Sequence, residues 1–101
     1  MEVEIKNNNF KSEVLDYKGT VIVDFYANWC MPCKMLAPII EKVATENNIK
    51  LAKVDVDENE NLAREFGIMS IPTVYVYKNG ERTSSFVGLI GENKLIEAIK
   101  D

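Results

Sequence analysis

From Thr20 to Ala27 the chain reads Thr-Val-Ile-Val-Asp-Phe-Tyr-Ala, a β-branched and aromatic run in which polar and apolar positions do not alternate. A strand of that kind is covered on both faces, so it belongs at the centre of a sheet with helices above and below. The flanking segments fit this placement. Val3 to Lys6 predicts a short first strand by alternation. Asn7 to Asn9 then offer capping side chains for a helix in which Phe10, Val14 and Tyr17 recur at helical spacing until Gly19 supplies a left-handed stop. Downstream, Leu36, Ile39, Ile40 and Val43 fall at i, i+3, i+4 and i+7, an amphipathic helix running to about Asn48 and kinked at Pro38. Ile49 to Val56 alternates as a strand. An Asp/Glu/Asn-rich helix start follows, with Leu62, Ala63 and Phe66 closed by Gly67. Thr73 to Lys78 and Thr83 to Gly88 flank Asn79-Gly80, whose two central residues suit the positive φ of a tight hairpin. A last helix from about Glu92 to Lys100 packs Leu95, Ala98 and Ile99. Strand and helix alternate in the first half, which makes parallel neighbours, and the second half adds an antiparallel hairpin. The expected class is α/β, a mixed sheet with helices on both faces.

Bulk properties narrow the function. A chain of 101 residues supports one core, and its 47% hydrophobic and 28% charged content is ordinary for a globular domain. With no repeat, linker or low-complexity tract, residues 1–101 read as a single domain. Net charge is −4 and no Lys or Arg cluster tracks a phosphate backbone, so nucleic acid is not an expected partner. Apolar runs are only a few residues long and Met1-Glu2-Val3-Glu4 alternates charge with apolarity, which predicts neither membrane span nor signal peptide, and hence a cytoplasmic protein.

Chemistry concentrates in Trp29-Cys30-Met31-Pro32-Cys33-Lys34, where the buried strand ends and a helix begins. Backbone N–H groups at a helix start lack intrahelical partners and carry partial positive charge, so a thiolate there is favoured over its thiol. Cys30 is therefore expected to titrate below the ordinary thiol range. The i, i+3 spacing sets both sulfurs on one face of the first turn, within a modest shift of disulfide geometry. Pro32 pre-sets φ for the turn and needs no N–H there. A closed zinc site wants four protein ligands, whereas this chain has two cysteines and no histidine. Redox chemistry at a Cys30–Cys33 disulfide, with no metal or organic cofactor, is favoured over a metal site completed by a second copy or by carboxylates and over two buried structural thiols.

Asp24 interrupts the central apolar strand, where an ionised carboxylate is costly unless paired or protonated. It either reaches solvent at the strand end or serves as a buried proton acceptor for Cys33. Lys53, on the neighbouring Leu51-Ala52-Lys53-Val54 strand, is its candidate partner, or else a snorkelling surface residue. Ile71-Pro72-Thr73 precedes the hairpin. Pro72 is either an edge device or a cis residue whose turn leaves backbone groups free for an extended peptide. Trp29, beside Cys30, reads as a contact surface more readily than as a core ring.

In order along the chain, Asp24-Phe25-Tyr26-Ala27-Asn28-Trp29-Cys30, Pro32-Cys33-Lys34, Ala37-Pro38, Lys53-Val54-Asp55, Ile71-Pro72-Thr73, Lys78-Asn79-Gly80 and Val87-Gly88 resemble the thioredoxin family. The resemblance implies the thioredoxin fold, a five-stranded mixed sheet flanked by four helices. It implies an exposed nucleophile at Cys30, a resolving thiol at Cys33, a cis peptide before Pro72, and a buried Asp24–Lys53 pair moving protons to and from Cys33. Trp29, Ile71 and Gly88 would border the substrate groove, with Met31 and Pro72 beside them. The chain departs from the family in three places: Met31 and Ser70 stand where Gly is usual or frequent, and Tyr26 where many members have Trp. Met31 puts a flexible apolar group beside the active sulfur, which bears on redox potential and on the choice of reductase.

The activity so implied is reduction of protein disulfides by dithiol exchange, in a monomer re-reduced by a thioredoxin reductase. A glutaredoxin-like reductase would carry an aromatic residue between the cysteines, and an exported oxidase or isomerase usually a histidine; Met31-Pro32 fits neither. A non-catalytic binding module is the rival of another class, and it leaves the joint presence of both cysteines, Asp24 and Pro72 unexplained.

Overall fold

In the computed structural model, which describes residues 1–6 and 8–100, five strands form one sheet. They are β1 (Glu2–Glu4), β2 (Thr20–Tyr26), β3 (Lys50–Asp55), β4 (Thr73–Lys78) and β5 (Glu81–Val87), in the order β1-β3-β2-β4-β5. β2 lies at the centre, parallel to β3 and antiparallel to β4, while β1 runs parallel to β3 and β5 antiparallel to β4. Every residue of β2 from Val21 to Phe25 is buried, Asp24 included.

Alternation along β2 sends its side chains into two separate cores. Val21, Val23 and Phe25 join Phe10, Val14, Ala52, Val54, Tyr75 and Tyr77 on one face, with Phe66 packed against them. Ile22 faces the other way, onto Leu36, Ile40 and Val43 of α1 (Met31–Glu46) and Leu95 and Ile99 of α3 (Glu92–Ile99). Burial of such a side chain contributes about 1.5–3 kcal/mol. Several of them along α1 offset the backbone hydrogen bond that Pro38 removes from the middle of that helix.

The first helical segment differs from the expectation. Lys11–Leu15 winds as a π-helix, with Asp16 N–H donating to the Lys11 carbonyl at 2.8 Å. Asn9 does not cap it: its Oδ1 turns back to accept from Lys6 N–H at 2.8 Å, and Phe10 occupies the cap position without a side-chain bond. Asn7, also expected as a cap, lies outside the described residues. α2 (Glu60–Glu65) ends as anticipated at Gly67, φ +63°, where Gly67 N–H reaches the Arg64 carbonyl and Ile68 N–H the Ala63 carbonyl. α1 closes by the same device at Asn48, φ +55°.

The hairpin turns at Asn79-Gly80, both with positive φ. Pairing begins at once with Lys78 opposite Glu81, two residues before the expected start at Thr83. A bulge at Thr83 lies between the Tyr77–Arg82 and Val76–Ser84 pairs and locally interrupts the ladder.

Candidate active site

β2 hands the chain to α1 through Ala27, Asn28 and Trp29, and this junction builds the site. Cys30 N–H donates to the Ala27 carbonyl at 3.2 Å, which turns the strand into the helix. Cys30 is the N-cap, with extended φ −87° and ψ 110°, and its sulfur accepts from the Cys33 N–H at 3.2 Å. The sulfur thus takes the place a Ser or Asp oxygen fills at other helix starts, against unpaired N–H groups and the positive end of the helix dipole. Pro32 sits in the first turn, where its missing N–H costs nothing. Cys30 and Cys33 are joined as a disulfide with Cα atoms 5.3 Å apart.

Cys30 is 4% exposed, not the open nucleophile that the resemblance implies. In the oxidised form its sulfur is bonded to Cys33 and lies 3.8 Å from the Ile71 carbonyl oxygen, and the pair packs with Ala27 and Ile71. The residues on either side are open instead: Trp29 is 71% exposed and Met31 64%.

Asp24 lies beneath the dithiol on the face that carries α1. It is 3% exposed, and its Oδ1 has no hydrogen-bond partner among the described residues. A cavity of about 130 Å³ joins it to Cys33, with Tyr26, Ala27, Asn28, Lys34, Ala37 and Lys53 completing the wall. Burial pushes its carboxyl up to about 6, opposed by the charge of Lys53. Asp24 is thus buried and does not reach solvent at the strand end. Lys53 is its register partner on β3 but is not bonded to it. The Lys53 ammonium lies over the Tyr26 ring, 4.6 Å from the centroid, so the expected pair is coupled through space and not by contact.

The Ile71–Pro72 peptide is cis, as the resemblance implies. Pro72 is buried at the head of β4, an interior strand, which removes the edge-strand reading. Its carbonyl accepts from Gly88 N–H at 2.8 Å, and Gly88 has φ +91°. Ile71 reaches the sulfur, and Pro72 and Gly88 tie to each other behind it. Sequence reasoning missed Asp57, whose carboxylate accepts from the Trp29 indole N–H at 2.9 Å across 28 positions of chain. An exposed Trp with a single N–H to satisfy was the available signal. It also missed Met69, 94% exposed just before Ile71. Among the described residues no group of three or more His, Cys, Asp or Glu is placed to hold a metal ion, and no helix is long and apolar enough to cross a membrane.

A family model described as Thioredoxin matches residues 1–101. Thioredoxin of Rickettsia felis is 44% identical over 101 residues, spanning 98% of this chain and 96% of that one. A bifunctional thioredoxin reductase/thioredoxin of Mycobacterium leprae is 41% identical over 98% of this chain, which corresponds to 22% of that protein. Among solved structures, a mutant thioredoxin from Halobacterium salinarum superposes with a TM-score of 0.88 at 36% identity, covering 97% of this chain and 87% of that one. Sequence likeness along the full length and a shared backbone coincide with a cysteine pair built into a helix start, and on that ground the chain belongs to the thioredoxin family and is a thiol–disulfide oxidoreductase, a reductase of protein disulfides.

Proposed function

We propose that Cys30 is the attacking thiol, Cys33 the resolving one, and Asp24 the group that takes the Cys33 proton. The Cys30 thiolate attacks one sulfur of a substrate disulfide, forming a mixed disulfide and expelling the other sulfur as a thiolate. Cys33 then loses its proton toward Asp24 across the cavity they share and attacks Cys30. The mixed bond breaks, the second substrate thiol leaves, and the Cys30–Cys33 disulfide forms; two electrons have passed to the substrate. The observation that carries this assignment is the Cys33 N–H donating to the Cys30 sulfur at the N-cap, which favours negative charge on that atom. With its carboxyl near 6, Asp24 is mostly ionised at neutral pH and free to accept a proton.

Trp29, Met31, Ile71, Pro72 and Gly88 receive the substrate. Among the described residues the Ile71 backbone N–H and carbonyl pair with no other backbone group, which leaves them for an extended peptide beside the sulfur. The electrons come from a thioredoxin reductase, a reading supported by the Mycobacterium leprae relative, whose description joins both activities in one protein. The Cys pair is the only redox group required, and the protein works as a single-domain cytoplasmic monomer. Its net charge of −4 argues against nucleic acid as a partner.

The test is direct. Reduced protein cleaves a protein disulfide, Cys30→Ser abolishes this, and Cys33→Ser accumulates a covalent substrate adduct detectable by mass. Adducts forming instead on Cys33 in the Cys30→Ser variant would reverse the two roles. Efficient recycling by glutathione and none by thioredoxin reductases would favour the glutaredoxin-like reading.

A further inference from the structure

Three adjacent strands place one charged residue each on a single cross-sheet row. Glu4 of β1 is the register partner of Lys53 of β3, and Lys53 is that of Asp24 of β2. Register partners on parallel strands project from the same face, so one ammonium stands between two carboxylates. Among the described residues Lys53 forms an ion pair with neither. Its Nζ rests over the Tyr26 ring at 4.6 Å, and the Tyr26 hydroxyl donates to both oxygens of Glu4, at 3.2 and 3.3 Å. Tyr26 follows Asp24 by two residues on the same strand, lines the same cavity as Asp24 and Cys33, and touches both other members of the row. Burial, followed by the charge of Glu4, pushes its phenol well above the ordinary range, so it stays a donor throughout the working pH.

We infer that Tyr26 is a positioning residue that partitions the charge of Lys53 between Asp24 and Glu4: its hydroxyl occupies Glu4, its ring carries the ammonium, and the positive charge is thereby left to act on Asp24. Without the hydroxyl, the exposed Glu4 carboxylate is free to take Lys53 as an ion pair, and the ammonium moves away from the proton acceptor. The other groups facing Asp24 are Glu41 of α1 and Glu2 of β1, both acidic, and Lys34 of α1 at the cavity wall; its β4 neighbour, Val74, carries no charge. Lys53 is thus the principal attraction set against burial and three carboxylates, and where its charge rests decides how readily Asp24 ionises. The consequence for catalysis rests on Asp24 being the proton acceptor proposed above, but the partition itself does not.

The experiment is a double-mutant cycle on the full chain in its oxidised form. The Asp24 carboxyl is followed by carbon-13 NMR as a function of pH in the parent, Tyr26→Phe, Glu4→Gln and the double variant. Tyr26→Phe keeps the ring and the packing and removes only the donor. Its expected effect is an upward move of the Asp24 midpoint by about half a unit, the size of a displacement of one charge by a few ångströms at an effective dielectric near 20. In the Glu4→Gln background the rival carboxylate is gone, and Tyr26→Phe should move the midpoint no further. An unmoved midpoint in Tyr26→Phe overturns the inference, and so does an equal shift in both backgrounds. Release of substrate from the mixed disulfide, timed at the same pH values, separates the two claims. If Asp24 titrates as predicted while the release profile ignores it, the partition stands and the proton-acceptor role falls.

Discussion

Asp24 is 3% exposed, and among the described residues its Oδ1 has no hydrogen-bond partner and the carboxylate no ion pair, so its charge is costly to bury. Its sign with pH follows from its raised affinity for the proton. Folding favours the protonated form, so the ionisation penalty of Asp24 is absent well below pH 4, builds as pH rises toward about 6, and is nearly complete at neutral pH. The shift from 3.8 to about 6 corresponds to about 3 kcal/mol lost at neutral pH. Asp24→Asn is therefore expected to be more stable than the parent by up to about 3 kcal/mol in urea unfolding at pH 7, with the gain mostly lost at pH 4. It should also release substrate from the mixed disulfide more slowly at pH 7. A gain of equal size at both pH values would mean that charge is not what makes the position expensive. Asp24 stood out in the sequence because it breaks an apolar run. The resting place of the Lys53 ammonium did not, since Lys53 reaches from the neighbouring strand β3 to the Tyr26 ring of β2.

Among the elements, the hairpin turn does more than reverse the chain. Asn79 Oδ1 accepts from Gly19 N–H and Asn79 N–H donates to the Gly19 carbonyl, both at 2.9 Å, so the turn is pinned to the loop entering β2. A Cβ on Gly80 would collide with the Leu15 carbonyl oxygen, and φ there is +83°. Gly67 has φ +63° but open space around it. Gly80→Ala should thus cost about 2–4 kcal/mol and Gly67→Ala about 1 kcal/mol, read from urea midpoints at constant m. The π-helical segment is held by a contact no local pattern announces. Lys50, buried at the start of β3, donates to both the carbonyl and the carboxylate of Glu13 at 2.7 Å and lies over the Tyr17 ring. Glu13→Gln leaves that ammonium without a counter-charge and should cost about 1–3 kcal/mol, whereas Lys50→Met, which removes the buried charge as well, should be nearly neutral. Equal losses from the two variants would refute this account.

Over the whole molecule, one strand serves two cores, and that is what makes the sheet a unit. Phe25 and Leu36, both fully buried, belong to opposite faces, yet Phe25 sits on the same strand as Ile22, which packs with Leu36. Phe25→Ala and Leu36→Ala should each cost about 3–5 kcal/mol, with far-ultraviolet circular dichroism and Trp29 fluorescence tracing a single coincident transition. Separate transitions by the two probes would mean that the faces unfold independently. The sequence by itself determined the central place of β2, the helix start under Cys30, the Asn79-Gly80 turn and the glycine stop after α2. Each of these depends on period, capping or the sign of φ within a few residues. Tertiary structure alone decided that Lys11–Leu15 winds as a π-helix, that Lys50 is buried, that Cys30 is covered by Ile71, and that Lys53 rests on Tyr26 between two carboxylates. Those outcomes come from contacts between residues tens of positions apart, and no local preference encodes which distant side chain will fill the space.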